Sequence, residues 1–179
     1  MLVMVMVPPE APPALVRFAQ QPNVSLQRQG LQTRVSMHVA VPLQQAWAVL
    51  TDYQRTFGAM PDVTSVSLVS RQGQRLRLRQ VLQAPYTFGL RITALLDGEE
   101  QRSIGELRYS LVQGDHIRAL SGQWTLTPDT GGTRIVHTIR LEPEVPPLLM
   151  PAFRQLHDAS LRRGFERLHQ LMLQPTANG

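Results

Sequence analysis

The chain contains no cysteine. Disulfides, thiol nucleophiles and cysteine-ligated zinc or iron–sulfur sites are therefore excluded, and the absence fits a reducing compartment. Lysine is missing as well: all 18 Lys/Arg positions are arginine. Neither a Schiff-base lysine nor a phosphate-loop lysine exists. Long apolar runs are also lacking. The opening MLVMVMV is apolar, but it has no basic flank and meets Pro8-Pro9 at once. It is too short to span a bilayer and makes a poor signal peptide. A cytoplasmic protein is expected, with a peripheral membrane contact through Met1–Val7 as an open alternative.

What is present is ordinary globular composition. Hydrophobic residues make up 42% and charged residues 17% of 179 positions, with a net charge of +5. That length suggests one domain with a sizeable core. The excess of arginine favours acidic partners only in a general way. Residues 1–23 carry Pro8, Pro9, Pro12, Pro13 and Pro22 and read as an extended or mobile arm. A folded domain is expected over 24–174, followed by a disordered tail at 175–179.

Val24–Val41 reads as one long first strand, with Gly30 marking a bulge. Its second half alternates Val35, Met37, Val39 and Val41 with Arg34, Ser36, His38 and Ala40, the period of a half-buried strand. Pro42 suits a helix start. Leu43, Ala46, Trp47 and Leu50 follow at helical spacing, and a second short helix fits Tyr53–Phe57. Six strands come next: Val63–Ser70, Arg75–Ala84, Thr87–Leu96, Ser103–Val112, His116–Thr127 and Thr133–Leu141. Turn formers separate them, among them Gln72-Gly73, Asp97-Gly98 and Gly114-Asp115. Short turns make neighbouring strands antiparallel. A helix from about Pro147 to Leu173 closes the chain. Phe153, Leu161, Phe165, Leu168 and Met172 form its apolar face. Arg154/Asp158, Asp158/Arg162 and Glu166/Gln170 are spaced as i, i+4 pairs on the exposed side.

This order dictates an α+β architecture. A seven-stranded curved antiparallel sheet needs a cover for its apolar face, and the long C-terminal helix is the only element large enough. Strand twist curls the sheet, so the space between sheet and helix becomes a ligand site. Gly164, in mid-helix, costs about 1 kcal/mol relative to alanine; a close backbone approach or space left for a ligand would explain it.

Several stretches resemble the START-like (SRPBCC) superfamily, in the branch of polyketide cyclase/dehydrase-like and coenzyme Q-binding START-domain proteins. They are Val39-Ala40-Val41-Pro42 leading into Ala48-Val49-Leu50-Thr51-Asp52-Tyr53, Met60-Pro61-Asp62-Val63, and Gly114-Asp115 with Gly122-Gln123-Trp124-Thr125-Leu126. The resemblance covers about residues 35–173 and implies the helix-grip fold, with two short helices after the first strand. It departs from the family pattern between Gly114-Asp115 and Gly122, which is one residue longer. The fold hosts lipid carriers and cyclases alike, so it does not settle function.

His137 is in phase with Ile135, Ile139 and Leu141; Tyr109 with Leu107 and Leu111; Trp124 with Leu120 and Leu126; Phe88 with Leu90 and Ile92. Each is an ordinary core residue or part of a cavity wall, because in this architecture the two surfaces coincide. With Phe153, His157, Leu161 and Phe165 on the last helix they form the candidate ligand-binding set. Metal-ligand pairs such as H-x-x-x-H are absent and no Ser/His/Asp triad can be read, so no metal, cofactor or catalytic residue is expected. Asp52 and Asp62 suit helix and turn caps, and Glu99-Glu100 suits a solvated turn.

The leading expectation is a binding module for an apolar small molecule: a quinone, polyketide-like molecule or lipid. A polyketide cyclase or aromatase, using His137, Tyr109 and His157, is the alternative. A third reading is RNA or anionic membrane binding through Arg75, Arg77 and Arg79, against which stands a simple solvated outer face. DNA is not expected as a partner, and a monomer and a homodimer fit equally.

Overall fold

The computed structural model describes residues 22–174. Most of the expected N-terminal arm, residues 1–21, and the expected tail, 175–179, lie outside the described residues. Eight strands form one sheet: β1 (Ser25–Gln29), β2 (Gln32–Val39), β3 (Val63–Gln72), β4 (Arg75–Leu82), β5 (Ile92–Gln101), β6 (Glu106–Gly114), β7 (Ile117–Asp129) and β8 (Gly132–Pro143). Helices α1 (Leu43–Thr51) and α2 (Tyr53–Gly58) follow β2, and α3 (Met150–Leu173) ends the chain. The sheet order is β1-β2-β8-β7-β6-β5-β4-β3, with antiparallel neighbours throughout. This is the helix-grip architecture, with α3 held against the concave face.

Eight strands replace the expected seven because Val24–Val41 is a hairpin and not one strand. Gln29 pairs with Gln32, and Gly30 turns the chain at φ +61°, a conformation natural to glycine. The alternation continues on both sides of the turn, which hides the break from a period count. Two other boundaries move. The strand expected from Thr87 starts at Ile92, because Pro85–Thr87 forms a 3-10 turn closed by Phe88 at φ +53°. Thr87 Oγ1 fastens that turn by receiving Ala84 N–H at 3.1 Å. At its far end β5 runs through Asp97-Gly98 and turns only at Arg102–Gly105. Gly98 serves packing there: a Cβ would stand 3.1 Å from Leu76 Cδ1. Glu99 and Glu100 are consequently strand residues, and Glu100 receives the Tyr53 hydroxyl at 2.6 Å and Arg71 at 2.8 Å. β7 carries a bulge between Ile117 and Ala119, next to His116 at φ +56°.

The core lies between α1, α3 and the β2–β8–β7 side of the sheet. Val35, Met37 and Val39 point inward from β2, Ala46, Trp47 and Leu50 from α1, and Phe165, Leu168 and Met172 from α3. The i, i+4 pairs expected along α3 do not form among the described residues. Asp158 instead pairs with Arg28 of β1, Arg162 donates to the Val24 carbonyl, and Arg163 reaches Asp62. Asp52 makes no side-chain cap, and Asp62 receives Arg163 and the Ser160 hydroxyl from α3. Tertiary partners thus override local capping for these side chains.

Candidate functional site: a cavity under the terminal helix

At the β3–β6 side the packing opens. A cavity of about 470 Å³ lies between the concave sheet face and α3. Leu76 and Leu78 of β4, Ile92 of β5, Leu120 of β7 and Ile139 of β8 form its sheet wall, and Phe57 and Met60 close one side. Gly164 lies in its roof, and a Cβ there would meet only Met60 Sδ at 4.0 Å. Its lack of a side chain therefore leaves space and does not permit a tight backbone crossing.

Phe88, Tyr109, Trp124, His137, Phe153, His157, Leu161 and Phe165 all border this cavity. Phe88 arrives by an unexpected route. It sits on the 3-10 turn and not on a strand, and it is 43% exposed beside Leu90 and Leu149, which marks this side as the mouth. Sequence reasoning missed Tyr86, Gln80 and Arg28. Tyr86 packs edge-on to Phe153 at 6.0 Å and to His157 at 5.1 Å; its only local signal is the Pro85 turn. Arg28 has none, since its partners lie about 130 residues away.

Beside polar lining residues such as Gln80, Asp62 and Glu144, two histidine-centred stations stand on the wall. In the first, His137 stacks on Trp124 at 3.9 Å and 4°, and Trp124 stacks in turn on Phe165 at 5.5 Å. His137 Nε2 lies 2.8 Å from the Tyr109 hydroxyl, and Nδ1 is buried without a partner. An idle lone pair is tolerated in a core better than an orphaned N–H. The ring proton therefore belongs on Nε2, which donates to Tyr109, and the Tyr109 hydroxyl proton is left free for the cavity. Gly122, directly opposite Tyr109, makes room for this ring, because a Cβ there would collide with the hydroxyl. In the second station, His157 stacks on Phe153 at 5.6 Å, and its Nδ1 lies 3.0 Å from Arg28 Nη2.

Burial sets the protonation of these groups. It pushes the His137 pKa down to about 3, aided by His157. It pushes His157 down to about 4, aided by the Arg28 charge. Burial also raises the Tyr109 and Tyr86 pKa values, Tyr86 further through Asp62. At neutral pH the two histidines are thus neutral and the two phenols protonated. Burial works to raise Glu100, but hydrogen bonds from Arg71 and Tyr53 outweigh it and hold this carboxyl below its ordinary range. Among the described residues no three His, Cys, Asp or Glu side chains gather to hold a metal ion, and no helix is long and apolar enough to cross a membrane.

A bent antiparallel sheet gripping a terminal helix over an apolar cavity defines the START-like class. The chain belongs to the family described as polyketide cyclase / dehydrase and lipid transport, whose pattern matches residues 31–172. Solved structures agree on the fold. A protein from Thermus thermophilus matches with a TM-score of 0.72 at 23% identity, over 79% of this chain and 97% of that one. An aromatase/cyclase from a Streptomyces species matches with 0.64 at 15% identity, over 79% and 90% of the two chains. A STAR-related lipid transfer protein from Xanthomonas axonopodis matches with 0.63 at 16% identity, over 90% and 98%. At these identities the likeness is one of fold. No curated protein matches the chain.

Proposed function

We propose that the protein binds an apolar small molecule of quinone, polyketide-like or lipid type beneath α3, and carries or sequesters it without transforming it. The observation that supports this is the unfilled cavity of about 470 Å³, within the range of small-molecule sites. Each 100 Å² of ligand surface buried there contributes about 2.5 kcal/mol, and the few polar groups fix orientation. Gentle purification, solvent extraction and mass spectrometry test the reading. A stoichiometric apolar compound is expected; an empty protein that takes up no apolar probe refutes it.

Cyclase activity is the second reading, supported by the free Tyr109 hydroxyl on the cavity wall and by the family's description. Acid–base catalysis works best with groups that titrate near the working pH, whereas burial leaves His137 and His157 weak bases. Incubation with a poly-β-ketone chain is therefore expected to give cyclised product no faster than buffer; acceleration lost on Tyr109→Phe would reverse this preference. The arginine stripe gains no support as a nucleic-acid or membrane face, since Arg77 is paired with Asp97 and the nearby Arg71 with Glu100.

A further inference from the structure

We propose, resting on the cavity-binding reading above, that His157 Nε2 donates a hydrogen bond to a neutral carbonyl oxygen of the ligand, and that Arg28 is the positioning residue that holds the imidazole in the tautomer this requires.

The assignment follows from donor and acceptor counting. Arg28 Nη2 lies 3.0 Å from His157 Nδ1. A guanidinium has donors and no acceptor, so Nδ1 must accept and the neutral ring must carry its proton on Nε2. Arg28 is itself held from the other side, with Nε donating to Asp158 Oδ1 at 2.9 Å and Nη2 engaging the same oxygen. Asp158 follows His157 on α3, so one helix turn and one β1 side chain form a closed clamp. Phe153 and Tyr86 flank the ring at 5.6 and 5.1 Å and restrict its rotation.

Nε2 makes no hydrogen bond to any described residue. Among the described residues, the fully enclosed side-chain polar atoms without partners are Thr33 Oγ1 and His137 Nδ1. His157 Nε2 is not one of them, although the residue is only 4% exposed and borders the cavity. This N–H therefore keeps accessible surface, on a residue that borders the cavity.

The chemistry of the occupant follows. A donor on an apolar wall is satisfied by an acceptor that is inexpensive to desolvate, which a ketone, quinone or ester oxygen is and a carboxylate is not. Arg28 does not recruit an anion, because Asp158 already neutralises it. A cationic amine offers this N–H no acceptor.

Menadione and 2-methylnaphthalene are suitable probes, since they share a bicyclic frame and differ in the two carbonyls. The chain has no cysteine for the quinone to alkylate. Titration of wild type, His157→Phe and His157→Gln reads the donor. His157→Phe keeps an aromatic ring against Phe153 and is expected to weaken menadione about tenfold while leaving 2-methylnaphthalene within twofold. His157→Gln, which retains an amide donor, is expected to recover most of the loss. Nitrogen-15 NMR of the imidazole at pH 7 reads the clamp. The Nε2–H tautomer is expected in wild type, a tautomer mixture in Arg28→Leu, and a shift of the Nε2 resonance on adding menadione. Equal effects of His157→Phe on both probes overturn the carbonyl contact and leave cavity binding standing. An Nδ1–H or doubly protonated ring in wild type overturns the clamp, whatever binds. Binding of neither probe overturns the cavity reading and this contact with it.

Discussion

Replacing Gly164 by leucine separates stability from binding in one substitution. Gly164 is a mid-helix glycine of α3 whose absent side chain would face the cavity, with only Met60 Sδ within 4.0 Å of a Cβ. In an ordinary core, adding a leucine to a packed helix strains it by about 1–3 kcal/mol. Here the side chain enters empty space. The helix gains about 1 kcal/mol from losing a glycine, and burial of new methyl groups adds to it. A domain of this size then melts about 2–4 °C higher per kcal/mol gained. The same leucine places a four-carbon side chain in the roof of the cavity of about 470 Å³. A ligand that fills the cavity must withdraw by two or three methylene groups, losing about 2 kcal/mol and more than tenfold in affinity. Gly164→Ala is the control: it should gain the helix term and bind nearly as wild type. Differential scanning calorimetry reads the first effect and fluorescence titration of an apolar probe, quenching Trp124, reads the second. A leucine variant that melts lower than wild type would mean that the space is not there. One that binds unchanged would place the ligand elsewhere.

Three further outcomes are expected. Gly122→Ala should cost about 1–3 kcal/mol in urea unfolding, because its Cβ collides with Tyr109 across the β6–β7 pair and drives that hydroxyl off His137. Stability should fall on acidification in a window set by the two buried histidines. Their folded pKa values, about 3 and about 4, lie below the unfolded value of about 6.5. The unfolded chain therefore binds more protons between these limits, so the stabilisation is complete above pH 6.5 and is lost as pH drops through that range. Between pH 7 and pH 5 the pair should account for about 4 kcal/mol; His137→Phe should remove about half of that slope, and an unchanged slope would contradict the burial argument. Tyr53→Phe should cost about 1 kcal/mol by denaturant unfolding, the worth of one hydrogen bond to a carboxylate that Arg71 still holds.

The parts of this molecule that could be read from sequence are those whose cause is local or periodic. Val35, Met37 and Val39 alternate because β2 has one dry face, and Phe153, His157, Leu161 and Phe165 recur at helical spacing because α3 has one. Once sheet and helix were in place, the inward phase of Tyr109, Trp124 and His137 brought them to the cavity wall. Boundaries that depend on backbone conformation were less legible. Gly30 sits inside an unbroken alternation, so its role as a hairpin turn is invisible to a period count. Asp97-Gly98 has turn composition but lies in mid-strand, where Gly98 yields to Leu76. Glu100 looked like a solvated turn residue and is a half-buried acceptor for Tyr53 and Arg71. The clamp of Arg28 on His157 and Asp158 was beyond reach altogether, because nothing in either segment points to the other until the sheet curls and α3 crosses β1.

Binding as proposed requires a cavity that accepts an apolar guest between α3 and the sheet. Intermolecular NOEs from 2-methylnaphthalene to the isotope-labelled protein test it directly. Cross-peaks to the Trp124 indole, Phe165 and Leu161 are predicted, and Gly164→Leu should add cross-peaks from the probe to the new leucine methyls. Contacts confined to the outer sheet face around Arg75, Arg77 and Arg79, or no contacts at saturating probe, would contradict it.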